Sequence, residues 1–108
     1  MPYDGGVFER ADWSHRGAYM QQRHGITPEV ANDALEDANR VVIDPDYNST
    51  SSRSVRIIGY SAIADDIITV IVLEDEGIEC GVNGWVANEK DRRLYNEAGD
   101  GGADEQEE

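Results

Sequence analysis

Apolar residues fall three and four positions apart in the first third of the chain and one or two apart after it. Between residues 28 and 38 the sequence sets Val30, Ala31, Ala34, Leu35 and Ala38 on one stripe, the spacing of a helix with a single buried face. Thr27 stands before it as a cap, Pro28 takes the first turn, where a missing N–H costs nothing, and Glu29 suits the positive end. Residues 14–24 carry a fainter stripe of Ala18, Tyr19, Met20 and Gln22, with Ser14 as the expected cap after Trp13 and Gly25 as the left-handed end residue. Beyond Ala38 the period shortens. Val41-Val42-Ile43 is a short β run ended by Asp44-Pro45, and residues 48–54, NSTSSRS, form a polar loop. Residues 55–61, 67–74 and 78–86 are rich in β-branched side chains. Their connections, 62–66 and a turn at Glu76-Gly77, are short enough for antiparallel neighbours. Asn88, with Asp91 three positions on, caps a last helix ending near Glu97. The order α-α-β-β-β-β-α predicts an α+β fold of two N-terminal helices, a four-stranded antiparallel sheet and a C-terminal helix.

Charge narrows what such a fold binds. The 108 residues hold 23 acids and nine bases, a formal net charge of −14. A field of that sign opposes a nucleic acid backbone unless the few arginines gather in one place. Six of the acids lie in residues 97–108, EAGDGGADEQEE, which contain no base and no large apolar side chain, and residues 1–96 keep a net −8. Such a stretch cannot bury enough surface to offset its ordering entropy. A single domain is therefore expected over residues 1–97, with an acidic disordered tail over 98–108. Cys80 stands alone, which excludes an internal disulfide and a thiolate metal cluster. The longest apolar run, residues 67–73, is far short of the ~20 residues that span a bilayer, and no secretory signal opens the chain. A cytoplasmic protein without membrane contact is expected.

Spacing then tests candidate chemistry. Asp44, Asp46 and Asn48 match alternate places of a calcium loop, but Ser49 stands where glycine is needed and Val55 where the closing glutamate is needed. His15 and His24, nine residues apart, are half a turn out of phase on a helix and cannot share a zinc ion. The chain has no G-x-S-x-G, phosphate loop or G-x-G-x-x-G, and Cys80 reads as a small hydrophobe buried in its strand. No metal or cofactor is expected. What remains is cationic and aromatic. Arg53 and Arg56 enter the second strand, Lys90, Arg92 and Arg93 lie on the last helix, and Arg23-His24 closes the first. By alternation Arg56, Ile58 and Tyr60 share one face of the second strand, and Glu79, Asn83 and Trp85 one face of the fourth. Gathered near the last helix, these groups would offer guanidinium forks for phosphate and rings for unpaired bases. Each has an ordinary reading too: His24 at a helix C-terminus, Trp85 as a half-buried core ring, Arg92 and Arg93 solvated or paired with Glu89.

Taken together, the element order and several short motifs resemble the BrnT family of type II toxins, which have a RelE-like fold. The similarity runs over roughly residues 13–96 and consists of Trp13, the RHG of Arg23–Gly25, ITPEVANDAL, DPDYN, the strand from Arg56 to Ser61, and DRRLY at 91–95. The resemblance implies a bacterial, metal-independent ribonuclease that arrests translation and is neutralised by a cognate antitoxin. RNA would be its substrate, and a homodimer or toxin–antitoxin hetero-oligomer its assembly. By position it implies His24, Arg56, Arg92 and Tyr95 as catalytic residues, and the chemistry of the residues themselves adds Arg53, Tyr60, Asn83 and Trp85 as contacts to the RNA. Two departures stand out: Asn83-Gly84-Trp85 replaces the family's Ser-Ala-Arg, and the loop of residues 47–53 carries neither His nor Glu. The alternative is a catalytically inactive module of the same fold that docks a basic, DNA-binding partner, with Trp85 as anchor. Cleavage needs a base for the 2′-hydroxyl and cations for the phosphorane, so Arg56, Arg92 and His24 must converge over one side of the sheet. His24→Ala and Arg56→Ala are then expected to relieve growth arrest without unfolding the protein.

Overall fold

A computed structural model of the chain describes residues 11–49, 53–75 and 77–99. The expected acidic tail lies outside them from residue 100 on, as do residues 50–52 of the polar loop. The elements are α1 (Gly17–His24), α2 (Pro28–Leu35), β1 (Val41–Ile43), β2 (Ser54–Ser61), β3 (Asp66–Asp75), β4 (Ile78–Val86) and α3 (Glu89–Gly99). The strands form one antiparallel sheet in the order β1-β2-β3-β4, so the α+β architecture expected from the sequence is present. None of the helices among the described residues is long and apolar enough to cross a membrane.

Local chemistry explains the helix ends. Thr27 Oγ1 accepts the Val30 N–H at 3.2 Å, and Val30, Ala31, Ala34 and Leu35 are buried, as their spacing requires. The helix stops at Leu35, three residues before Ala38. Here the Asp37 carboxylate accepts the N–H groups of Asn39 at 2.9 Å and Tyr60 at 2.8 Å, which pulls the chain toward β2 and leaves Ala38 exposed. The first helix also differs from expectation. It begins at Gly17, and Arg16 precedes it without a side-chain cap, because Ser14 donates its N–H to Asp12 Oδ1 at 2.9 Å in a preceding turn.

Helices α1 and α2 cover one sheet face. Met20, Ile26, Val30, Ala31, Ala34 and Leu35 meet Val55, Ile57, Ile68, Val70 and Val72 in one cluster, closed at its edge by Trp13. Two glycines permit this closeness. A Cβ on Gly59 would lie 2.1 Å from the Ala34 carbonyl oxygen, and one on Gly81 would lie 2.4 Å from the Trp13 ring. Trp13 is itself anchored, its Nε1 donating to Asn32 Oδ1 at 3.1 Å.

The opposite face carries Arg56, Ile58, Thr69, Ile71, Asn83 and Trp85, and α3 crosses part of it. The ladder slips between Ile71, opposite Asn83, and Val72, opposite Gly81, so Val82 is an extra residue. That bulge corrects the expected face of β4. Simple alternation grouped Glu79 with Asn83 and Trp85, but the inserted residue turns Glu79 and Gly81 to the helical side, where Gly81 meets Trp13. Cys80, expected to be buried, is only partly so, on the edge strand where Asp12 pairs beside it.

Candidate functional site

An arginine inside a β run as apolar as that of residues 55–58 needs its charge answered within the fold. Arg56 is 2% exposed. Its Nε donates to Asp46 Oδ1 at 2.7 Å, and its Nη1 donates to Asp91 Oδ2 at 2.6 Å and to the Tyr47 hydroxyl at 2.9 Å. Asp91, 0% exposed, accepts also from the Tyr47 hydroxyl at 2.6 Å and from Thr69 Oγ1 at 2.8 Å. Four elements supply the cluster: the loop after β1, then β2, β3 and the first turn of α3. Asn88 Oδ1 accepts the Asp91 N–H at 2.9 Å, the expected cap. The Asp91 carboxylate turns inward from that cap to the arginine.

Electrostatics follow from this geometry. Burial pushes the Asp91 carboxyl up, but hydrogen bonds from Tyr47, Thr69 and Arg56 outweigh it and hold it below the usual carboxylate value. Burial works against the Arg56 charge, and the carboxylates of Asp46 and Asp91 more than restore it. The Tyr47 hydroxyl is raised by its own burial and by its bond to Asp91. The two carboxylates answer the Arg56 charge within the fold.

A row of rings and cations borders this cluster. Lys90 Nζ lies 3.9 Å from the Tyr47 ring centre, and Arg56 Cζ lies 4.2 Å from that centre on the Tyr47 ring and 5.6 Å from that of Trp85. His24, exposed at the end of α1, sets its ring centre 5.7 Å from Trp85 at a tilt of 55°. β4 is the outer strand, so His24 meets Trp85 at the sheet edge.

The other nominated residues do not join the row. Arg92 Nη2 pairs with Asp66 Oδ1 at 2.9 Å, both side chains partly exposed. Asp66 begins β3 and is five residues from Ile71, the residue facing Arg56; at ~3.4 Å per residue this is about 17 Å along the strand. The Tyr95 hydroxyl donates to Asp37 Oδ2 at 2.5 Å, and the Tyr60 hydroxyl to Asp65. Asn83 shares the face of Trp85 and turns its Oδ1 back to the Gly84 N–H at 3.0 Å. Arg53 is exposed ahead of β2 and has a partner within the fold. The expected convergence of Arg56, Arg92 and His24 is therefore corrected: Arg56 and His24 flank Trp85, whereas Arg92, Tyr95 and Tyr60 belong to a second group around the β2–β3 turn. Nor is Arg56→Ala a clean test of catalysis, since Arg56 holds two buried carboxylates.

Tyr47, Thr69, Asp46 and Asp91 escaped the sequence reading as partners of Arg56. The one available signal was Arg56 itself, a charge flanked by Val55, Ile57 and Ile58, which calls for buried counter-ions.

The second group sets a pH dependence. Burial pushes Asp37 up, and bonds from Tyr95, Tyr60 and Asn39 pull it further down, to below the usual carboxylate value. Burial and the bond to Asp37 push Tyr95 up to about 12. A lowered carboxylate adds stability above its unfolded pKa and loses it as pH falls through the folded value. A raised phenol adds stability below its unfolded pKa of about 10 and loses it as pH climbs toward the folded one. Stability is expected to decline between about pH 10 and 12 in a Tm-versus-pH series, and Tyr95→Phe is expected to weaken that alkaline limb.

No protein-family model matches the chain, and no curated protein matches it either.

Proposed function

We propose that this chain is the BrnT-like member of a bacterial, cytoplasmic toxin–antitoxin pair, and that it acts by docking a basic, DNA-binding antitoxin without cleaving RNA itself. The observation that carries this reading is the closure of Arg56 between Asp46 and Asp91. Its Nε and Nη1, which a scissile phosphate would occupy, already serve carboxylates, and the same holds for Arg92 on Asp66 and Tyr95 on Asp37. The net charge of −14 adds long-range attraction for a basic partner and repulsion for RNA. Purified protein is expected to leave RNA intact and to bind the product of the adjacent open reading frame with an affinity that weakens as salt rises. Growth arrest with cut RNA, on expression of the chain alone, would overturn it.

The row of His24, Trp85 and Arg56 favours a second reading, the metal-independent ribonuclease. Residues 13–28 contain Arg16, Arg23 and two histidines and no acid, and His24 brings the end of that stretch against Trp85. On this reading His24 is the base or acid and Trp85 stacks a nucleobase. His24 is exposed, so His24→Ala is expected to abolish arrest with no change in Tm. Arrest that persists in that variant sinks the ribonuclease.

A further inference from the structure

The outer side of α2 forms one wall of a groove of about 250 Å³, lined by Pro28, Glu29, Asn32, Asp33, Glu36 and Ile63. These helix residues alternate with the buried stripe of Val30, Ala31, Ala34 and Leu35, so the groove faces away from the core. The opposite wall is Ile63 in the β2–β3 turn, which at 63% is the most exposed large apolar side chain among the described residues. The two walls are tied together. Asp33 Oδ2 accepts from Ser61 Oγ at 2.9 Å and from the Ile63 N–H at 3.1 Å, so the groove is already formed in the free protein. Its lining offers apolar surface from Pro28 and Ile63 beside three carboxylates, and it holds no Lys or Arg.

We propose that this groove is the docking surface for the partner, receiving a segment in which an aliphatic side chain is flanked by Lys or Arg. The assignment rests on the docking reading above and names where that docking occurs. The aliphatic side chain covers Ile63 and Pro28, and the flanking cations meet the carboxylates along α2, with Glu29 at the outer rim. An apolar contact ringed by complementary charge gives affinity at its centre and rate and specificity at its edge.

The test uses the full chain and two synthetic peptides of equal charge, one of leucine and lysine, the other of serine and lysine, followed by NMR titration. The leucine peptide is expected to shift the signals of Ile63, Asn32 and Glu29 and to bind about tenfold more tightly than the serine peptide. Ile63→Asp is expected to remove that difference, and Glu29→Lys to weaken both peptides, most at low salt. Both positions are exposed, so both variants stay folded, Glu29→Lys with a somewhat lower Tm because it reverses the charge at the positive end of α2. Equal binding of the two peptides, with shifts spread over the acidic surface, overturns the groove. A parallel arm captures the product of the adjacent open reading frame. Equal capture by wild type and Ile63→Asp rejects the groove and leaves the docking reading standing. Failure of the wild type to capture it rejects the docking reading, and the peptide titration still judges the groove.

Discussion

Arg56→Met is expected to cost about 3–5 kcal/mol at neutral pH, the scale for removing one partner of a buried ion cluster. In a domain of this size that lowers Tm by at least about 12 °C, at ~4–8 °C per kcal/mol. The loss comes from what remains. Asp91 is 0% exposed and would keep the bonds from Tyr47 and Thr69 but face Asp46 with no cation between them. Its carboxyl would then move from below the usual value to above it. In the wild type the lowered Asp91 contributes stability that fades as pH falls. In the variant the buried charge is a penalty that fades at higher pH, between its raised folded value and the unfolded one of about 4, because protonation removes it. The gap between the two proteins is therefore expected to narrow from pH 7 to pH 4, measured by urea unfolding at each pH. An Arg56→Met protein with the wild-type urea midpoint at pH 7 would show that the cluster holds nothing together.

Gly59→Ala is expected to be as damaging for a different reason. The new Cβ would lie 2.1 Å from the Ala34 carbonyl oxygen and 2.9 Å from its carbon, both backbone atoms that no rotamer change can move. Relief requires α2 to lift from β2, opening the core cluster that Ala31, Ala34 and Leu35 share with Ile57 and Val55. Overpacking of this kind costs about 3 kcal/mol or more when backbone must shift. Hydrogen exchange is expected to report the loss first in the α2 amides. A variant with unchanged midpoint and α2 protection would mean that the helix packs at another height.

Much of the fold was legible along the chain. Thr27, Pro28 and the stripe of Val30 to Leu35 specify α2 by local rules, because a cap and a buried stripe need only neighbours in sequence. The short connections between the later runs specify antiparallel pairing for the same reason, and residues 54–61, 66–75 and 78–86 form it. Where distant groups compete, sequence patterns mislead. Ala38 continues the apolar stripe, yet Asp37 leaves the helix for Tyr60 and Tyr95, which lie 23 and 58 residues away. Glu79 follows the alternation of Asn83 and Trp85 until one inserted residue, Val82, turns it over.

The candidate site divides along the same line. The identities of Arg56, His24 and Trp85, and their placing on a strand, a helix end and an edge strand, belong to the primary sequence. Which carboxylate answers which cation was decided only when the chain folded. The acids outnumber the bases 23 to nine, so nearly any guanidinium has several candidate partners. Burial selects among them, since desolvating Arg56 demands counter-charges at hydrogen-bond distance, and packing of α3 and the loop after β1 brings Asp91 and Asp46 there.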